Sequence, residues 1–161
     1  MHEAIDYSAL NWLRQELETT LKQARLKLDA YANNRDDTGL LHDCAAYLHE
    51  VRGPLQMVEL KGADRLAAEM EEVLTDLLQG AVDTGDAVLE LLMQAFLQLP
   101  DYLSSIRSGR QEAPALLLPA INGLRACRGI GPLQERAFFS PNLSARVPAS
   151  IYNPHAAPAA N

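Results

Sequence analysis

Histidine, arginine and glycine lie at helical spacing in one short segment of this sequence. In residues 45–60, AAYLHEVRGPLQMVEL, His49 is followed three and four positions later by Arg52 and Gly53, and Pro54 comes next. Residues three and four apart are neighbours on a helix surface. An imidazole nitrogen can attack a phosphoryl group, and a cation one turn away can offset the negative charge that gathers there. The spacing therefore predicts a site for nucleophilic chemistry on phosphate.

Gly53 and Pro54 are the two poorest helix formers, and both fall inside a segment that is otherwise strongly helical. A glycine in a helix interior costs about 0.5–1 kcal/mol relative to alanine. Because the missing side chain leaves room on an exposed face, we expect Gly53 to let a partner protein approach closely. Pro54 withholds a backbone donor from the Glu50 carbonyl, so we expect a bend one turn after His49.

The apolar residues of the same segment recur every three or four positions and define the buried side of the predicted helix. They are Leu41, Cys44, Leu48, Val51, Leu55 and Val58. When these side chains point into a core, His49, Arg52 and Gly53 lie together on the outer surface. A simpler interpretation stays open, in which an exposed histidine and an exposed arginine are ordinary solvated residues.

Five segments of the chain show this helical period, and strand signals are missing. The predicted helices cover about residues 8–31, 38–61, 63–80, 87–106 and 114–129. We expect Thr38 to be the N-cap of the second helix, Gly80 to end the third, and Pro100 to kink the fourth. Short connections between four amphipathic helices predict an all-α antiparallel four-helix bundle, with an additional C-terminal helix covering one side or end.

The composition changes near residue 130. Residues 5–130 are predicted to form the helical bundle, and residues 131–161, rich in Ala, Pro and Asn without periodicity, are predicted to be an extended tail that links to further domains. We expect Phe138 and Phe139 to hold the start of this tail against the bundle.

Charge and residue usage argue against several classes of protein. The net charge of −7 and the pI near 5.0 argue against nucleic-acid binding, which depends on clustered Lys and Arg. No run reaches the roughly 18 apolar residues of a membrane span, so no membrane insertion is expected. Cys44 and Cys127 show no CxxC spacing and are interpreted as reduced core thiols of a cytoplasmic protein.

Motifs for cofactors and metals are also missing from the sequence. It contains no Walker-type loop, no GxGxxG after a strand, no HExxH and no paired Cys/His set of zinc spacing. His42 and His49 share a helix face, but two imidazoles do not complete a tetrahedral metal site. We therefore expect no cofactor and no metal within this chain.

The segment HEVRG resembles the His-x-x-Lys/Arg-Gly signature of histidine phosphotransfer (HPt) domains, which are four-helix bundles. The wider sequence resembles the N-terminal HPt-like module of ChpA/PilL-type hybrid histidine kinases, found in the chemotaxis-like systems that control type IV pili and twitching motility. This likeness covers about residues 5–146 and extends to the related scaffold protein FimL. The segments that carry it are DYSALNWLRQELETTLKQARLKLDAY, HEVRGPLQMVELKGADRLAAEMEEVL, LMQAFLQLPDYL and LRACRG.

The resemblance implies a two-component phosphorelay role. His49 would accept a phosphoryl group and relay it to a receiver aspartate, Arg52 would stabilise that group, and Gly53 and Gln56 would contact the partner. Partners would be response-regulator receiver domains and the kinase core, which would also supply Mg²⁺, and pilus-system scaffold proteins are further candidates. Whether the chain acts as an enzyme is left open, because it contains no ATP-binding domain.

An alternative within the same resemblance is a docking or scaffold domain that keeps the HPt shape without carrying phosphate. HPt helices commonly have a second glycine ten residues after the histidine, and here that position is Glu59. FimL-like relatives are understood as binding proteins, and a fold does not guarantee a chemistry.

Two further features have structural interpretations. The acidic run Glu69, Glu71 and Glu72 is expected to be a solvated helix face. Trp12, next to the predicted apolar seam of the first helix, is expected to pack in the core.

Overall fold

A computed structural model describes residues 2–82, 85–106 and 112–138, with side chains described for residues 11–137 of these ranges. These residues contain five α-helices. The helices are α1 (His2–Asn33), α2 (Thr38–Met57), α3 (Lys61–Gln79), α4 (Asp86–Ser105) and α5 (Leu118–Cys127). Two 3₁₀ turns cover Pro114–Leu117 and Glu135–Phe138. These described residues contain no strand, and the predicted all-α fold is confirmed.

Short loops make the first four helices run alternately up and down. α1 packs against α2 and α4, α3 packs against α2 and α4, and α5 lies against α3 and α4. The apolar residues that recur every three or four positions form the core between the helices. Those that are fully or almost fully buried include Leu17, Leu21, Ala24, Leu28, Leu41, Cys44, Leu48, Val51, Leu55, Leu66, Met70, Val73, Leu92, Ala95 and Leu99. The apolar period therefore predicted the buried faces of these helices. Val58, the last residue predicted for the buried side of α2, is an exception: it is 36% exposed, because the helix ends at Met57.

Cys44 is one of these core residues. Its side chain is fully buried, and burial raises the pKa of its thiol to about 12. A thiol in this state is neutral and unreactive at physiological pH, which agrees with a structural role.

Both prolines that the sequence places inside helices are accommodated there. α2 runs unbroken from Thr38 to Met57 through Gly53 and Pro54, and α4 runs unbroken through Pro100. Neither proline ends its helix. The expected bend after His49 stays a prediction.

The predicted end of α2 near Lys61 and Gly62 is wrong, because the helix ends at Met57. The Leu60 N–H donates to the Leu55 carbonyl at 3.0 Å, and the Glu59 N–H donates to the Gln56 carbonyl at 3.1 Å. Glu59 between them has a φ of 60°. This is the Schellman arrangement, in which a left-handed residue closes the helix end.

Glu59 occupies a position that suits glycine, since a left-handed backbone costs a side-chain-bearing residue about 1–2 kcal/mol. We expect Glu59→Gly to raise the free energy of unfolding by about 1 kcal/mol in urea denaturation. Glu50→Gly, in the helical part of α2, is the matched control and should lower it by a similar amount. Equal destabilisation by both changes would contradict the strain at Glu59.

Three further predictions concern the ends of helices α2, α3 and α5. The N-cap of α2 is Asp37 rather than Thr38, because the Asp37 carboxylate accepts the Gly39 N–H at 3.1 Å. α3 ends as predicted, with Gly80 at a φ of 76°. The fifth helix begins with the 3₁₀ turn Pro114–Leu117 and becomes α-helical only from Leu118.

Trp12 does not pack in the core as predicted; it is 63% exposed. It precedes the partly buried Leu13 by one residue, and one residue rotates a helical side chain by about 100° away from the seam.

The start of the C-terminal segment is held by Leu133, which packs against the core. Its N–H donates to Asn122 Oδ1 at 2.7 Å, and its carbonyl accepts from Asn122 Nδ2 at 3.2 Å. The Phe138 side chain, Phe139 and the predicted tail from residue 139 onward lie outside the described residues. The domain boundary near residue 130 stays a prediction.

None of the described helices combines the length and the apolar character needed to cross a membrane.

Candidate docking face and its ion pairs

The solvent side of α2 carries the residues that the sequence singled out. His49, Gly53 and Met57 follow one another at intervals of four, with Arg52 and Gln56 beside them. The His49 side chain is 72% exposed and Met57 is 82% exposed. A Cβ added at Gly53 would meet nothing within 4 Å outside its chain neighbours. We call these five residues the α2 outer face.

The imidazole of His49 contacts α3 through one nitrogen. His49 Nδ1 lies 2.9 Å from Glu71 Oε2. A carboxylate at this distance favours the tautomer that carries the proton on Nδ1, which leaves the lone pair of Nε2 for solvent or a partner. The ring is therefore exposed and oriented at the same time.

Arg52 is held by two carboxylates of α3. Its Nε donates to Asp64 Oδ1 at 2.9 Å, and its Nη1 donates to Glu71 Oε1 at 3.1 Å. Burial lowers the pKa of Arg52, but the hydrogen bonds and charges of Asp64 and Glu71 outweigh burial, so the pKa lies above its ordinary value. Gln56 lies at the edge of the same group, with its Nε2 at 3.4 Å from both Asp64 oxygens.

The charge around His49 is negative overall. Glu71 touches the ring, Asp64 shares Arg52 with Glu71, and Glu50 is exposed next to His49 in sequence. Among the described residues around His49, the cation that faces these carboxylates is Arg52, which pairs with Asp64 and Glu71. A phosphoryl group on His49 would add negative charge beside carboxylates that already occupy the arginine, which is unfavourable.

Comparison with known proteins identifies the family. The FimL C-terminal domain family matches residues 7–124, which is most of the chain. The chain belongs to the FimL C-terminal domain family. It is 36% identical over 148 residues to the scaffold protein FimL of Pseudomonas aeruginosa strain PAO1, and the match covers 92% of this chain. The chain corresponds to 26% of the length of that relative. No solved structure matches it.

In this member of the FimL C-terminal domain family, Asp64 and Glu71 are the site residues that the sequence analysis missed. They lie seven positions apart on α3, so both face α2. A spacing of seven predicts that the two side chains lie on the same face of α3. It does not predict which other helix that face packs against. Glu71 was expected to be solvated, and that prediction is wrong because Glu71 pairs with both His49 and Arg52.

Glu69 also contradicts the expectation of a solvated acidic face, since it is only 4% exposed. Its Oε2 accepts from Arg65 Nε at 3.0 Å and from Arg125 Nη1 at 2.9 Å. Arg128 Nη1 lies 3.9 Å from its Oε1. Burial of this carboxylate is possible because arginines of α3 and the α5 end surround it. Glu72, in contrast, has an exposed side chain as predicted.

The described residues contain no group of three or more His, Cys, Asp or Glu side chains arranged to hold a metal ion.

Proposed function

We propose that this chain is a docking module of a FimL-type scaffold that binds a signalling protein of a type IV pilus system through the α2 outer face, without carrying phosphate. The observation that supports this proposal is the engagement of Arg52 by Asp64 and Glu71. The cation that would stabilise a phosphoryl group is already neutralised. Similarity to a protein named as a scaffold supports the same conclusion.

The α2 outer face has the features that protein docking needs. Gly53 leaves the helix backbone open, and Met57 offers an exposed, flexible apolar side chain one turn away. Methionine adapts to partner surfaces of different shape. His49 adds a donor or acceptor about two turns before Met57, so the face combines an apolar contact with a directional polar one.

Phosphotransfer, as in the HPt-like module of ChpA/PilL-type kinases, is the second candidate. The observation that favours it is the exposed imidazole whose Nδ1 is held by Glu71, because this leaves Nε2 outward as a nucleophile. In that case His49 would pass the phosphoryl group to a receiver aspartate. The receiver or the kinase would bring the Mg²⁺.

Phosphate labelling distinguishes the two candidates. The purified chain is incubated with acetyl phosphate and receiver domains, or with the kinase core of the pilus signalling system, and an acid-labile, base-stable label is sought in wild type and in His49→Gln. We expect neither protein to be labelled while both bind the partner. A label on wild type that is lost in His49→Gln would overturn the docking proposal in favour of phosphotransfer.

Partner binding tests the assigned face. We expect Met57→Lys to weaken partner binding at least about tenfold in biolayer interferometry, since a charge replaces a desolvated apolar contact. Leu97→Lys is the matched control: Leu97 is an exposed leucine of α4, at 54%, and its change should leave binding intact. Gly53→Lys, which fills the open backbone position, should act like Met57→Lys, with circular dichroism confirming the helix content. Unchanged binding in both α2 variants would contradict the assignment.

A further inference from the structure

A second surface lies on the other side of Arg52, between α3 and the end of α5. It is a cavity of about 590 Å³ whose lining includes five cationic and three acidic side chains among the described residues. The cations are Arg52, Lys61, Arg65, Arg125 and Arg128. This excess of positive lining charge stands out in a chain of net charge −7. We call this cavity the arginine cleft.

The arginines of the cleft have hydrogen-bond donors to spare. Arg65 donates its Nε to Glu69, is 40% exposed, and has no protein acceptor for either Nη group within the described ranges. Arg125 uses Nε for the Gly131 carbonyl and Nη1 for Glu69, which leaves Nη2. A guanidinium carries five donors in a fork that matches a carboxylate. The cleft can therefore accept further carboxylate groups.

One acceptor in the cleft also lacks a donor. Glu69 Oε1 is buried and has no hydrogen-bond partner in the described structure; Arg128 Nη1 is 3.9 Å away. A buried polar atom without a hydrogen bond costs free energy. A ligand that displaces a neighbouring side chain could supply an N–H group to this buried oxygen and carboxylates to the arginines. A bare oxyanion would supply only acceptors.

The shape of the cleft suits an extended chain. It follows α3 from Lys61 to Glu72, a length of about 16 Å at the helical rise of about 1.5 Å per residue. An extended peptide covers this length with about five residues. Ala68, Leu133 and Ala137 provide a small apolar part of the lining between the charges.

We infer that the arginine cleft binds an extended acidic peptide segment of a partner protein. Peptide carboxylates pair with the spare Nη donors of Arg65 and Arg125, and a peptide N–H group reaches Glu69 Oε1 when a neighbouring side chain moves aside. This surface shares Arg52 with the α2 outer face but differs from it otherwise, because the contacts proposed for the peptide come from α3 and the end of α5. It does not require His49, Gly53 or Met57.

Fluorescence anisotropy with a labelled acidic octapeptide, a repeat of Glu, Asp and Leu, tests the inference on the full chain. We expect Arg65→Gln to weaken binding about tenfold, since it removes one charge-assisted contact and keeps a donor for Glu69. Lys22→Gln, an equal charge change at an exposed position of α1, should leave binding unchanged. Met57→Lys should also bind the peptide normally, which separates this test from that of the α2 outer face.

Several results would overturn the inference. These are absence of acidic-peptide binding at low salt, equal weakening by Arg65→Gln and Lys22→Gln, and equal binding of a peptide with lysine in place of every acidic residue. Displacement of the peptide by inorganic phosphate at similar concentration would also overturn it, since that would indicate a general oxyanion site. Amide shifts in nuclear magnetic resonance spectra should fall on α3 and α5.

Discussion

Replacing Glu69 with alanine should lower the free energy of unfolding by about 3–5 kcal/mol, because it leaves Arg65 and Arg125 without the buried carboxylate that pairs with both of them. Glu69 is 4% exposed and lies against Arg65, Arg125 and Arg128. Without it, these guanidiniums repel one another at the junction of α3 with the end of α5. Urea denaturation followed by circular dichroism measures the loss.

Glu72→Ala is the matched control on the same helix. Glu72 meets Arg128 at 3.4 Å, but its side chain is 57% exposed, so its pair should contribute less than about 1 kcal/mol. Similar losses for Glu69→Ala and Glu72→Ala would contradict a special role of the buried carboxylate. Glu69→Gln, which keeps the shape and removes the charge, should lose most of the same free energy.

Replacing Glu112 with alanine should lower the free energy of unfolding by about 2–3 kcal/mol, because hydrogen bonds to a charged group and the capping of a helix N-terminus are both lost. No side chain near Leu60 caps the start of α3. The Glu112 carboxylate does so from 50 residues away, accepting the Gly62 N–H at 3.1 Å and the Ala63 N–H at 3.0 Å.

Tyr102 is the third donor to this carboxylate, with its hydroxyl at 3.0 Å. Burial, followed by the charge of Glu112, raises the pKa of Tyr102 well above its ordinary value, so the phenol stays protonated and able to donate. Tyr102→Phe should therefore have a smaller effect than Glu112→Ala, of about 1 kcal/mol, since it removes one hydrogen bond of three.

Gly62 allows this arrangement by having no side chain. A Cβ there would lie 3.0 Å from Glu112 Oε2 and 3.1 Å from both Pro114 Cβ and the Tyr102 hydroxyl. Gly62→Ala should thus displace the carboxylate, and combined with Glu112→Ala it should cost less than the sum of the single changes. Gly131→Ala, at an open position outside the helices, is the control. Strict additivity of the pair would contradict the shared contact.

The helices themselves could be predicted because burial leaves a periodic pattern in the sequence. A residue such as Leu21 or Leu48 must recur every three or four positions to reach one core, and the structure buries both completely. Gly80 predicted the end of α3 because its backbone φ is one that glycine adopts readily. The same helical period predicted that the His49 side chain is exposed, and it is 72% exposed.

The contacts between helices could not be predicted in this way. Whether Glu71 reaches His49 or points to water depends on the rotation of α3 against α2, which the period of α3 alone does not fix. The burial of Glu69 depends on arginines 56 positions further along the chain or more. Glu112 lies outside every predicted helix, so no periodicity marked it.

Gly53 and Pro54 together constrain how this helix can change by mutation. The ring of a proline presses on the Cβ and N–H of the residue before it when that residue is helical, and glycine lacks the Cβ. Both residues lie within the unbroken α2. A lineage that replaces Gly53 first would therefore strain the backbone, whereas one that replaces Pro54 first would free the neighbouring position to vary. The order of the two substitutions therefore affects the stability of the intermediate variant, although Leu99 before Pro100 in the unbroken α4 shows that a side chain at such a position does not by itself prevent folding.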